Sequence, residues 1–338
     1  MPPQDLPDRP LPDVPCSDAA RARQDPMLGT APPQGLFLFV EQDGGWAFDG
    51  FPALDLQKDI RDEVVRRAEA AGARVMLIRR PGRQSSTVCY LRAWCVVDTT
   101  AAPGRRVTWG TWAYPAELLG ALDVVEQRVA SAGDGTPARD GTPAGDLAPA
   151  ADRIPPGDDE PLVLVCTHGK KDPCCAVRGR PVAAALAQRY PEQTWECSHT
   201  GGDRFAANVL LLPDGATYGG LDVDSALTVV EEHRAGRPDT AHLRGLCGVP
   251  RPVQAAVVAT HDQLGPLPWG AVVPAGTRPL AREGEDVAAT TVTLDLADGR
   301  RAEVDVREHV RPGAQLTCRS GLAKVSQVPV PGPVRVLG

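Results

Sequence analysis

"PLVLVCTHGKKDPCCAVRGRPVAAALAQRY", residues 161–190, is the stretch from which the rest of the chain can be read. Its opening, "PLVLVC" (161–166), is a short run of Val and Leu, which predicts a buried strand. Its end, "RPVAAALAQRY" (180–190), predicts a helix, with Pro181 in the first turn, where a missing N–H is tolerated. Between them lies an expected exposed loop carrying His168 and Cys174, with Cys166 at the strand end and Cys175 just before the helix.

Moving toward the C-terminus, "TWECSH" (194–199) predicts a second strand, followed by a turn at Gly201 and Gly202. "ANVLLLPDGATYGGLD" (207–222) predicts a hairpin that turns at Pro213-Asp214-Gly215. "DSALTVVEEHRAG" (224–236) predicts a helix with an Asp N-cap and a closing Gly. The order β-α-β-β-β-α is that of a thioredoxin-like domain. In that arrangement the first two strand ends are neighbours, so the Cys166–Cys175 loop should meet "ECSHTGGDRF" (196–205). Cys197 and His199 are two apart on a strand end and so face one side.

Toward the N-terminus, "GLFLFVEQ" (35–42), "RVMLIRR" (74–80), "STVCYLRAW" (86–94) and "RRVTWGTW" (105–112) read as strands. "LQKDIRDEVVRRAEAAGA" (56–73) reads as an amphipathic helix with Ile60, Val64, Val65 and Ala68 on one face. Residues 131–159, in which DGTPA occurs twice, offer almost nothing to a core and read as a flexible linker. "TTVTLDLADGRRAEVDVREHV" (290–310) alternates on both sides of Asp298-Gly299, the pattern of a β hairpin. The expected fold is therefore α/β, with two α/β sandwich halves. An N-terminal domain (1–130, a degenerate thioredoxin-like copy), the linker (131–159), a thioredoxin-like domain (160–270) and a β appendix (271–338) follow one another.

The chain has 338 residues, is 42% hydrophobic and has only 4% aromatics, so its core must be built from Val, Leu and Ala. A net charge of −7 argues against a general nucleic-acid binder. No apolar run approaches the roughly 18 residues of a membrane span. The proline-rich, acidic opening "MPPQDLPDRPLPDVPCSD" does not read as a signal peptide. The expectation is a cytoplasmic protein, where disulfides are uncommon and nine cysteines point to a metal, a redox role or burial.

Four readings of the cysteines compete. The CxxC of a dithiol enzyme is absent, and adjacent Cys174 and Cys175 could bridge each other only with strain. Zinc suits mixed Cys/His sets at closer spacing. A two-iron iron–sulfur core accepts Cys and His from two separate loops, a pair on each iron. Simple packing suits Cys89, Cys95, Cys247 and Cys318, which lie in apolar or strand contexts.

"CTHGKKDPCC" (166–175) followed by "SHTGGDRFAANVLLLP" (198–213) resembles the sucrase/ferredoxin-like family. "CSDAARARQDPMLGTAP" (16–32) and "HLRGLCGVPRPVQAA" (242–256) resemble further motifs of its bacterial members. The resemblance implies a thioredoxin-like ferredoxin domain holding a [2Fe–2S] cluster. It matches Cys166 and Cys175 to the cysteine ligands and His199 to the first histidine of an HxGGH pattern. Asp203 stands where the second histidine would be, so Cys197, Asp203 or Cys174 is the expected fourth ligand, with Cys197 favoured.

Gly201 and Gly202 would give the backbone a close approach to the cluster. Asp203 would otherwise orient His199, and Arg204 would pair with Asp203 or offset a reduced cluster. Lys170, Lys171, Arg178 and Arg180 form a basic rim, which is either an ordinary solvated surface or a docking patch for an acidic redox partner or an anionic iron chelate such as a ferric siderophore. Without a GxGxxG motif the expected role is electron transfer or partner-dependent reduction, with a zinc-binding or scaffold protein as the alternative. No carboxylate pair is placed for glycoside hydrolysis, so the word sucrase finds no support.

Overall fold

The computed structural model describes residues 14–82, 91–134, 161–280 and 288–337. Cys89 and most of the glycine- and proline-rich stretch lie outside these residues. Residues 131–134 belong to a helix.

The first half runs β1 (Leu36–Glu41), α2 (Lys58–Ala70), β2 (Arg74–Arg79), β3 (Arg92–Asp98), β4 (Val107–Trp112) and α3 (Leu118–Asp134), preceded by a short helix α1 (Cys16–Ala22). The second runs β5 (Leu162–Cys166), α4 (Pro173–Arg189), β6 (Thr194–Cys197), β7 (Val209–Leu212), β8 (Ala216–Tyr218) and α5 (Val223–Arg234). In both halves the first two strands are parallel and the third is antiparallel to the first. The fourth strand is antiparallel to the third. The halves therefore repeat one arrangement.

They join edge to edge. β2 pairs antiparallel with β6 through Ile78↔Cys197 and Arg79↔Glu196. With β9 (Leu243–Leu246) this makes a nine-stranded mixed sheet of order β4-β3-β1-β2-β6-β5-β7-β8-β9. Strand alternation assigns its two faces. Leu38, Val40, Val64, Ala68 and Leu122 form one cluster with α2 and α3, and Val163, Val165, Val182, Leu186 and Val229 form another with α4 and α5. On the opposite face Phe37, Phe39, Met76, Leu164, Trp195 and Leu210 share one core across both halves. Arg106 on β4's side reaches Asp214 of the β7–β8 turn at 3.1 Å, and Trp109 stacks on Trp195 at 5.8 Å. Strands far apart in the sheet order thus meet, which requires the sheet to curl.

Helix α6 (Arg251–Leu264) carries the chain to a five-stranded antiparallel sheet of β10 (Val272–Pro279), β11 (Ala289–Leu296), β12 (Arg301–Ala314), β13 (Lys324–Pro331) and β14 (Arg335–Leu337). Val253, Ala256 and Val257 of α6 pack against Val292, Leu294 and Val304. The hairpin expected at Asp298-Gly299 joins β11 to β12, while β10, β13 and β14 were not read from the sequence. Two helix starts differ from expectation. α5 begins at Val223 because Asp222, not Asp224, caps it, accepting the Ser225 N–H at 2.9 Å. α4 begins eight residues before Pro181, with consequences for the site.

Among the described residues no helix is long and apolar enough to cross a membrane.

Candidate metal centre

The carboxylate of Asp172 accepts the Cys174 N–H at 2.9 Å, and Pro173 follows at the first helical position. A capping acid and a proline with no N–H to satisfy start α4 there. Cys174 and Cys175 therefore lie in its first turn and are buried, which corrects the exposed loop expected from sequence. Pro181 sits inside the helix instead. It and Val177, whose carbonyl it deprives of a helical partner, are both exposed, where solvent is at hand.

Cys166 ends β5 beside Cys197 at the end of β6, and the chain beyond β6 brings His199 back over the strand ends. One donor atom each from Cys166, Cys175 and His199 lies within 4.8 Å of the others. Asp203 stands outside that three-donor group but lies beside two of its members: its Oδ1 is 3.4 Å from Cys175 Sγ and 3.0 Å from His199 Nδ1. The second contact is within ion-pair range but is not aligned as a hydrogen bond. The charges interlock. The Cys175 thiol, then His199, hold Cys166 well below the ordinary thiol range against the effect of burial. The same contact with Cys166, together with burial, pushes Cys175 up. Burial alone would lower His199, yet Asp203 and Cys166 raise it to about 9.

Around this group the remaining predicted residues take different places. Cys197 is fully buried in the shared core and stands outside the convergent group, its thiol pushed up mainly by burial. Gly202 is left-handed (φ 75°), and a Cβ there would meet the Arg244 guanidinium at 2.3 Å. Gly201 is also left-handed (φ 90°) but has open space beside it. Arg204 pairs with Asp25 at 3.5 Å and lies over Phe205, rather than pairing with Asp203. In the basic rim Lys170 and Arg180 are exposed, Lys171 covers the Phe48 ring, and Arg178 pairs with Asp18.

Three residues that support the site were not singled out as such. His168 is buried, its Nε2 2.8 Å from the Ala47 carbonyl and its Nδ1 3.3 Å from the His199 N–H. A neutral ring with its proton on Nε2 satisfies both, and burial keeps the His168 pKa low. Arg74 donates to the carbonyls of His199 and Thr200. Gly179 lets α4 touch β5: a Cβ there would stand 2.2 Å from the Cys166 carbonyl oxygen. Its signal in the sequence is a glycine within a helical stretch.

A second group gathers Cys16, Asp172, Cys174 and Cys318 within the same 4.8 Å limit. The packing role expected for Cys318 is incomplete: it lies between β12 and β13, 3.4 Å from Cys174 Sγ. Cys174 is held down to about 6 by Cys16, then Ser17, despite burial.

The fold and these donors define a mixed α/β protein whose buried Cys, His and Asp groups could hold a metal. Residues 56–245, more than half of the chain, match the family described as Sucrase/ferredoxin-like, and the chain belongs to that family. No curated protein and no solved structure matches it.

Proposed function

We propose that this protein is an electron carrier, or a partner-dependent reductase, holding a [2Fe–2S] cluster in a thioredoxin-like second half. The observation that carries the reading is the convergence of Cys166 at the end of β5, Cys175 in the first turn of α4 and His199 beyond the end of β6. The donors suit the group: two soft cysteine sulfurs and an imidazole. Each iron takes two protein ligands. Cys166 and Cys175 would serve one, and His199 with Asp203 the other. Asp203 replaces Cys197 as the favoured fourth ligand because its carboxylate touches both Cys175 and His199. The cluster would supply one-electron transfer, and the chain's residues would fix its ligands: His168 and Arg74 hold the backbone of His199, and Gly179 seats α4 against Cys166.

An anionic acceptor, such as an iron chelate, fits a cavity of about 630 Å³ beside this region. Gly202 and Arg204, on either side of Asp203, line it together with Arg244 and Arg251. A redox partner protein and a cytoplasmic location complete the proposal.

The compactness of the first group also favours a second reading, a single zinc ion without redox activity. Purified protein separates the two. Visible charge-transfer absorption bleached by dithionite, with iron and acid-labile sulfide in equal amounts, supports the cluster. A colourless, iron-free protein refutes it. In a loaded protein His199→Cys should lower the potential toward the roughly −400 mV of all-thiolate plant-type centres. An unchanged potential would remove His199 from the ligands.

A further inference from the structure

Cys16 comes from α1, Cys174 from the first turn of α4, and Cys318 from the link between β12 and β13. Sequence separations of 158 from Cys16 to Cys174 and 144 from Cys174 to Cys318 leave no local reason for them to meet. Yet the Sγ atoms of Cys16 and Cys174 are 3.6 Å apart, and those of Cys174 and Cys318 are 3.4 Å apart. Bonds of about 2.3 Å to a tetrahedral zinc place sulfurs roughly 3.8 Å from one another. A disulfide would need about 2.05 Å. The observed spacing is therefore close to that of sulfurs around one ion.

Two of the three sulfurs, those of Cys174 and Cys318, are held as acceptors. The Cys16 N–H points at Cys318 Sγ at 3.2 Å, and the Ser17 hydroxyl at Cys174 Sγ at 3.3 Å. Asp172 is fully buried and ties the three segments together. Its oxygens accept the Cys174 N–H at 2.9 Å, the Thr317 hydroxyl at 2.7 Å and the Cys318 N–H at 2.6 Å. One of them lies 3.7 Å from Cys16 Sγ. Four donors of this kind, three soft sulfurs and one carboxylate, are each groups that zinc binds, in the number a tetrahedral site takes.

We infer that Cys16, Cys174, Cys318 and Asp172 form a second metal site that binds one zinc-class ion and joins the N-terminal helix, the cysteine helix and the C-terminal sheet. Binding releases the thiol protons to water as the Zn–S bonds form, with no change in oxidation state. The site shares no ligand with the group of Cys166, Cys175 and His199 and stands independently of what that group holds.

The test is elemental analysis of the full-length protein for zinc and iron, in the natural sequence and in Cys16→Ser and Cys318→Ser. About one zinc per chain should be present in the natural protein and lost in both variants, with iron and visible absorption unchanged. A drop from two zinc ions to one in the variants would support this site while refuting the cluster. Since Cys16→Ser could impair folding, the half-buried Cys318 and a chelator titration of the natural protein give separate readings. Chelation should lower the melting temperature and added Zn2+ should restore it. A natural protein that holds no zinc and gains no stability from it overturns the inference. So does zinc retained in Cys318→Ser, iron lost in its place, or a Cys174–Cys318 disulfide found by mass spectrometry.

Discussion

Gly179→Ala tests the seat of the cysteine helix on its strand. In a helix interior this change usually stabilises by about 1 kcal/mol, because alanine loses less backbone entropy than glycine. Here the new Cβ would meet the Cys166 carbonyl oxygen at 2.2 Å, roughly 1 Å inside ordinary contact. The obstacle is backbone, so no side-chain rotation relieves it; α4 must move off β5. Overpacking of this kind costs about 1–3 kcal/mol, sometimes more. The clash wins, with a net loss of up to about 2 kcal/mol. At roughly 2–4 °C per kcal/mol for a large domain, the melting temperature should fall by several degrees. Movement of α4 also separates Cys166 from Cys175, so bound metal should fall with it. Gly120→Ala is the control. Gly120 lies in α3 with nothing within 4 Å of its added Cβ, so there the entropy gain stands alone and stability should hold or rise. Calorimetry on both variants decides the matter: a Gly179→Ala protein as stable as the natural one would refute the close approach.

Asp203→Ala should lose iron and colour, whereas Cys197→Ala should keep both and lose only packing stability; the reverse pattern in iron analysis would reinstate Cys197 as the fourth ligand. His168→Phe fills the ring space but leaves the His199 N–H without its partner, at about 1–3 kcal/mol, while the Ala47 carbonyl keeps the Gly50 N–H; an unchanged urea midpoint would count against its holding role. Burial opposes the charge of Asp214, but His233 and Arg106 outweigh it and keep its pKa below the ordinary value. A depressed acid adds stability above its unfolded pKa of about 3.9 and loses it as pH falls through the folded value. Asp214→Asn should therefore lower the urea midpoint at neutral pH by more than at a pH below that folded value, and a pH-independent difference would sink the argument.

Much of the frame was legible because alternation and periodicity act locally. β1, β2 and β5 lie within a residue of where Val- and Leu-rich runs put them, and the β7–β8 hairpin turns at Pro213-Asp214-Gly215 as expected but ends at Tyr218, four residues early. The start of α4 was misread because two prolines competed for its first turn. Asp172-Pro173, a capping acid before a proline, was the better signal, and Pro181 owes its tolerance to exposure rather than position. The convergence of Cys166, Cys175 and His199 was foreseeable from strand order and family motifs. Nothing local distinguished Asp203 from Cys197, since the choice depends on how the chain beyond β6 folds back. Cys16 and Cys318 were harder still. Their meeting is decided by how α1 and the C-terminal sheet dock, and no pattern in a short window reports that.

The joined halves have a bearing on how this chain can be divided. The segment shared with the family starts at residue 56, after β1, yet β1 is an inner strand bonded to β2 on one side and β3 on the other. Cutting there would strip the row of partners from both neighbours and remove Phe37, Leu38, Phe39 and Val40, none more than 1% exposed, from two cores. Ending at residue 245 would remove α6 and the sheet it carries. A fragment trimmed to the family's borders is thus expected to aggregate through two bared strand edges. The smallest piece able to fold is larger than the piece that family comparison recognises.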